Sequence, residues 1–105
     1  VGASAGVTNT LGGITSRTFT APLPKVKSAA TTALNRMGIK VASSSRQNGS
    51  DTFKATASDR EIEIEFEPLS PNTTRMRVVA RNGFLYDSAT ATEIILQTEK
   101  VLGNV

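Results

Sequence analysis

The sequence predicts an α+β fold: a four- or five-stranded antiparallel sheet with two helices on one face, in the element order β-α-β-β-β-β-α. Two observations carry this prediction. Residues 53–57, 61–67 and 73–81 alternate apolar and polar side chains with a period of two, which is typical of strands with one buried face. Residues 26–37 and 91–102 repeat apolar residues at helical spacing on one side only, so both helices can pack on the apolar face of the sheet.

The 105-residue chain has the size of one domain. Residues 1–13 are small, uncharged and rich in glycine, so we expect a flexible leader or tether there. Residues 14–105 then form the single α+β domain. Because the first residue is valine rather than methionine, we expect a processed or trimmed chain whose signals lie upstream.

The first strand is predicted over residues 14–20, with Phe19 as its core contact. Pro22 and Pro24 then open helix 1, because the first helical turn does not need the missing N–H of proline. Gly38 ends this helix as a left-handed cap. The apolar stripe of the helix comprises Val26, Ala29, Ala30, Ala33, Leu34 and Met37.

The next two strands begin at Ile39 and at Phe53. Turn-forming residues 47–50 separate them, and a tight turn at Asp59 and Arg60 connects the second of them to the strand that follows. That turn would place three apolar pairs on the buried face. The predicted pairs are Ala57 with Ile62, Ala55 with Ile64, and Phe53 with Phe66.

Residues 61–67 and 73–81 form the most strongly patterned hairpin. One register, in which paired residue numbers sum to 142, places opposite charges together on one face and apolar residues together on the other. The charged pairs are Glu67–Arg75, Glu65–Arg77 and Glu61–Arg81, and the apolar pairs are Phe66–Met76, Ile64–Val78 and Ile62–Ala80. The sequence therefore predicts a β-hairpin with a cross-strand charge ladder.

The closing helix begins at a cap supplied by Asp87 or Ser88, or at a capping box of Thr90 and Glu93 one turn later. It ends at Gly103, and its buried residues are predicted as Ala91, Ile94, Ile95, Thr98 and Leu102. If helix 1 runs antiparallel to the first strand, the five strands take the order 2-3-4-5-1. This order resembles a reduced helix-grip arrangement, in which a curved sheet wraps the last helix.

The composition excludes several kinds of catalytic site. With no cysteine and no histidine, the chain cannot supply a cysteine nucleophile, a Cys/His zinc site, a histidine haem ligand or a Ser-His-Asp triad. Asp51, Asp59 and Asp87 are isolated, and we interpret them as turn or cap residues rather than a metal cluster. We therefore predict no catalytic residue, no metal and no cofactor, and expect a protein that is not an enzyme.

Two alternatives use the charged hairpin. The glutamates at 61, 63, 65 and 67 could serve a small hydrolase or isomerase, although such carboxylate pairs need a cleft that separates their pKa values. Arg75, Arg77 and Arg81 could indicate a basic nucleic-acid-binding module, but the neighbouring strand is acidic and no aromatic residue shares that face. We favour a structural ladder and expect no nucleic-acid partner.

Phe84, Leu85 and Tyr86, here called the 84–86 segment, form the one dense apolar and aromatic loop of the sequence. One interpretation is a hydrophobic staple that packs against the start of the last helix. The other is a ligand or partner contact, because exposed aromatic residues often anchor interfaces. These three residues are the candidate site.

The run Glu67-Pro68-Leu69-Ser70-Pro71-Asn72-Thr73-Thr74-Arg75-Met76-Arg77-Val78 resembles the signature of a bacterial domain-of-unknown-function family of small envelope lipoproteins. Residues 19–38 are similar to the opening of that family. The resemblance implies a lipid anchor on an N-terminal cysteine that this chain lacks, a short tether, and a soluble domain in the periplasm or at the outer membrane. It implies no catalytic residues. We therefore expect a monomeric, non-enzymatic domain that binds an envelope protein or a small apolar ligand between sheet and helices.

Overall fold

The computed structural model describes residues 9–103, which form two helices and a seven-stranded antiparallel sheet. The predicted α+β class is confirmed. In chain order the elements are β1 (Asn9–Leu11), β2 (Ile14–Phe19), α1 (Leu23–Arg36), β3 (Lys40–Gln47), β4 (Ser50–Ala57), β5 (Arg60–Ser70), β6 (Thr73–Asn82), β7 (Leu85–Tyr86) and α2 (Ser88–Gly103).

The strands lie in the order β1-β2-β6-β5-β4-β3, and β7 pairs with β6. The five predicted strands correspond to β2 to β6, and their predicted order is confirmed. The structure adds β1 and β7, whose three and two residues are too short to show a periodic pattern. β1 falls within the predicted leader at residues 1–13, of which residues 1–8 lie outside the described part of the chain.

The register of the β5–β6 hairpin is the predicted one. Glu65 lies opposite Arg77 and Ile64 opposite Val78, and the other predicted pairs of this hairpin also form. The register shifts only near the turn, between Pro68 and Ser70. Because both faces of this hairpin carry a pattern, a different register would have mismatched one of them.

The predicted register between β4 and β5 is wrong by two residues. Phe53 lies opposite Ile64, and Ala55 lies opposite Ile62. The turn consists of Ser58 and Asp59, with Ser58 at a φ of 55°, rather than of Asp59 and Arg60. Since a shift of two keeps every side chain on its face, the buried set is unchanged.

The two helices lie side by side on one face of the sheet, with α2 packed on β2 and β6 and α1 packed on β5. All five residues predicted to be buried in α2 are buried. The stripe of α1 is also buried, except that Met37 is only partly covered by the core. Gly38 takes a φ of 72°, as a left-handed cap requires.

The layer between helices and sheet is filled by side chains from both. Phe53 and Phe66 contact each other edge to face, with ring centres 5.2 Å apart and planes at 76°. They are diagonal rather than direct cross-strand neighbours, which follows from the corrected register. The largest side chains with no exposed surface are Phe19, Phe66, Leu34, Ile64, Met76, Ile94, Ile95, Val26 and Val78.

Candidate functional site: the open face of the sheet and the 84–86 segment

The sheet face opposite the helices is open to solvent, and we call it the open face. Because side chains alternate along a strand, every second residue of β4, β5 and β6 projects from it. These residues are Thr52, Lys54 and Thr56 on β4, Glu61, Glu63, Glu65 and Glu67 on β5, and Arg75, Arg77, Val79 and Arg81 on β6.

Two of the three predicted charged pairs, Glu67–Arg75 and Glu65–Arg77, form ion pairs. Arg77 lies 2.7 Å from Glu65 and 3.2 Å from Glu67, and Arg75 lies 3.4 Å from Glu67. All four side chains remain about one-third exposed, so each pair contributes on the order of 0.2–1 kcal/mol. Both glutamates, Glu65 and Glu67, therefore act as ion-pair partners of arginines.

The third predicted pair does not form an ion pair. Glu61 lies opposite Arg81, and Glu63 lies opposite Lys54 on one side and Val79 on the other. Within residues 9–103, no ion pair joins any of these charged side chains. A shallow cavity of about 290 Å³ lies among them, and a second of about 210 Å³ adjoins it at Glu63 and Val79.

The 84–86 segment is the most exposed apolar part of the described chain. Phe84 is 99% exposed, Leu85 73% and Tyr86 55%. A hydrophobic staple would bury Phe84 against α2, so this exposure argues against the staple interpretation. The alternative prediction, a contact with a ligand or partner, stays a prediction.

Although the segment is exposed, the backbone of two of its residues, Leu85 and Tyr86, is paired with the sheet. Leu85 pairs with Asn82 and Tyr86 pairs with Arg81, so the Tyr86 side chain shares the open face with Arg81. The Tyr86 ring also covers Gly13, because a Cβ placed on that glycine would lie only 2.6 Å from the ring. The loop therefore presents its side chains from an ordered frame.

Asp51 has a structural role that sequence reasoning missed. It is 2% exposed and lies 2.6 Å from Nε of Arg46 on β3 and 3.0 Å from Nζ of Lys27 on α1. Hydrogen bonds from Arg46 and then Lys27 lower the pKa of Asp51 from 3.8 to about 2, although burial alone would raise it. The alternation that places Phe53 and Ala55 inward also places Asp51 inward, and this signal could have identified it.

Asp87 caps α2, as predicted for the Asp87–Ser88 position. Its carboxylate accepts hydrogen bonds from the backbone N–H and the hydroxyl of Thr90, and from Arg60 at the start of β5. The Thr90 bonds and the Arg60 guanidinium lower the pKa of Asp87 from 3.8 to about 2. The cap thus joins the connection between β7 and α2 to the start of β5.

The described residues form neither a metal-binding cluster nor a membrane-spanning helix. Between residues 9 and 103, no three acidic, histidine or cysteine side chains are grouped so that they could hold a metal ion. Neither α1 nor α2, the helices of that range, has the length and apolar character needed to cross a membrane.

Comparison with known proteins gives no match, either among protein-family models or among curated proteins.

Proposed function

We propose that this chain is a non-enzymatic domain of a bacterial envelope lipoprotein that binds another envelope protein through the 84–86 segment. The observation that carries the proposal is the 99% exposure of Phe84 beside the exposed side chains of Leu85 and Tyr86. Exposed aromatic side chains of this kind anchor many protein interfaces when a partner buries them. The envelope location and the lipid anchor are supported by the resemblance of residues 67–78 to the lipoprotein family.

The fixed backbone of the segment supports a protein partner. Tyr86 is held against Gly13, and the backbone N–H of Asp87 donates a 2.8 Å hydrogen bond to the carbonyl of Ala80. Little conformational entropy would therefore be lost when a partner binds this loop. A larger share of the free energy gained by burying its apolar side chains would then contribute to the affinity.

The other candidate functions have less support. A small apolar ligand between sheet and helices would need space where Phe66, Leu34 and Ile94 are completely buried. Both cavities described above lie on the open face instead. Two of the residues that a hydrolase or a nucleic-acid module would use, Glu65 and Arg77, are already paired with each other. Either function would therefore rest on the remaining charges of this face, such as Glu61, Glu63 and Arg81.

Site-specific photo-cross-linking in the bacterial cell tests the proposal. The full-length protein would carry a photoreactive phenylalanine in place of Phe84, and Leu69 would be replaced in the same way as a control. Leu69 is also exposed, at 44%, but it lies at the opposite end of the β5–β6 hairpin. We expect a discrete cross-linked protein in the membrane fraction from position 84 and none from position 69.

A substitution at Phe84 distinguishes loss of the partner contact from loss of folding. Because Phe84 touches almost nothing, Phe84→Ser should change the free energy of unfolding by less than about 0.5 kcal/mol. It should nevertheless abolish co-purification of the cross-linked protein. The proposal fails if position 84 gives no discrete product, or if positions 84 and 69 give the same one.

A further inference from the structure

The open face changes character where Val79 occupies a position that arginine occupies elsewhere along β6. Arg77 and Arg81 stand at the neighbouring open positions of that strand. Because valine is much shorter than arginine, it leaves a depression between long charged side chains. Val79 and Glu63, which lie opposite each other, line both the 290 Å³ and the 210 Å³ cavity.

Charged side chains of both signs border the larger cavity. Glu61 and Glu63 project from the central strand β5, while Lys54 and Arg81 project from the strands on either side. Within the described residues all four lack an ion-pair partner, although each faces an opposite charge across the strands. Further along β5 and β6, Glu65 is paired with Arg77. The unpaired charges therefore coincide with the cavity.

We propose that this cavity binds a dipeptide zwitterion, with the ligand ammonium over Glu61 and Glu63 and its carboxylate at Lys54 or Arg81. Neighbouring strands lie ~4.8 Å apart, and an extended two-residue chain spans at most ~7 Å, so the two termini can reach charges on adjacent strands. Val79 offers an apolar contact for a ligand side chain. The 290 Å³ volume is at the small end of the range for ligand sites, roughly 300–1,000 Å³, which suits a ligand of this size.

The position of the charges makes specific demands on the ligand. A molecule with only an ammonium would gain no contact with Lys54 or Arg81, and one with only a carboxylate would gain no contact with the two glutamates. Since all four side chains are exposed, salt screens them, and we expect a dissociation constant on the order of millimolar at low salt. No residue of the 84–86 segment lines either cavity, although Tyr86 lies beside Arg81 on the same face.

An NMR titration of the whole chain with alanyl-valine tests the proposal. We expect saturable shifts of the backbone amides of Lys54, Glu61, Glu63 and Val79. The N-acetylated and C-amidated forms of the same dipeptide each lack one charge. Each should bind about two- to fivefold more weakly, which corresponds to the loss of one exposed ion pair.

A matched pair of double variants provides the control. Glu61→Gln/Glu63→Gln removes the carboxylates at the cavity, and Glu65→Gln/Glu67→Gln makes the same change of net charge on the same strand. We expect the first to abolish saturation and the second to leave it within about twofold, because only the first removes ligand partners. The proposal is overturned if no saturation occurs, if the blocked dipeptides bind equally well, or if both double variants have the same effect.

Discussion

At the scale of single residues, Asp51 is the described acid most deeply buried on the core side of the sheet. It connects β4 to Arg46 on the edge strand and to Lys27 on α1, and the Lys27 ammonium also lies 5.5 Å from the centre of the Phe53 ring. A buried carboxylate is costly unless its hydrogen-bonding capacity is met, and here two cations meet it. The Lys27–Asp51 pair therefore joins α1 to the sheet.

We predict that Asp51→Asn destabilises the domain at pH 7 by about 2 kcal/mol. The pKa of Asp51 is about 2 in the folded protein, below its ordinary value of 3.8. A lowered folded-state pKa contributes stability above pH ~4 that is lost as the pH falls towards 2. The free-energy difference between the two proteins should therefore narrow over that window, as urea unfolding followed by circular dichroism can measure.

Asp59→Asn is the matched control for this change. Asp59 is also a turn-proximal aspartate, but its side chain is 70% exposed and its single ion pair, with Arg60, is 3.4 Å long. It should alter stability at pH 7 by less than about 0.5 kcal/mol. Equal effects of the two substitutions would contradict the assigned role of Asp51.

The contrast between Asp51 and Asp87 indicates what a sequence reveals about single residues. Asp87 is recognisable as a cap because its partner, Thr90, is three positions away. The partners of Asp51 include Lys27, which is 24 positions away on another element. The alternation along β4 shows that the Asp51 side chain points toward the core. Its ion-pair partner Lys27 cannot be identified in this way, because that pair depends on how α1 packs on the sheet.

At the scale of elements, register was predictable only where two patterns constrained it. The β5–β6 hairpin carries charges on one face and apolar residues on the other, and both agree on a single pairing. Between β4 and β5 only the apolar face is patterned, so a shift of two residues preserves it. The turn then decided the register, and Ser58 with its φ of 55° supplied a turn that the sequence did not mark.

The Gly12–Gly13 turn between β1 and β2 gives a prediction about the 84–86 segment. Both glycines have positive φ, 59° and 84°, but only at Gly13 would a Cβ meet the Tyr86 ring. Gly12→Ala should therefore cost about 1–2 kcal/mol from backbone strain alone. Gly13→Ala should cost more, because the ring must also move.

A double-mutant cycle isolates this contact. In a Tyr86→Ala background the excess cost of Gly13→Ala over Gly12→Ala should disappear, as measured by the free energy of unfolding. Tyr86 is the only tyrosine and the chain has no tryptophan, so tyrosine fluorescence follows the same contact directly in the single glycine variants. An excess cost that persists without the Tyr86 ring would show that the ring does not hold this turn.

At the scale of the whole molecule, the order of the five long strands followed from chain direction and short connections. The extent of the core did not. The sequence treats β3 as one more strand, but all eight of its residues are exposed, including Val41 and Ser44, which share the apolar side. The helices cover the sheet over β2, β5 and β6, and how far they reach over β3 depends on packing that no local pattern encodes.

This uneven cover predicts a gradient of local stability that ends at β3. Its outer edge is unpaired within the described residues, it has a bulge between Val41 and Ser43, and charged Lys40 and Arg46 protect it from edge pairing. Native-state hydrogen exchange should therefore show β3 amides exchanging by local opening, whereas the amides of β5 and β6 that bond to neighbouring strands exchange only with global unfolding. Low urea concentrations distinguish the two cases, because local opening exposes little surface and responds weakly to denaturant. The prediction is contradicted if β3 amides show the same protection and the same urea dependence as β6 amides. In that case β3 would unfold together with α1 and the rest of the sheet despite its exposed edge. The ion pairs of Asp51, which connect β3, β4 and α1, would then be the contacts that couple them.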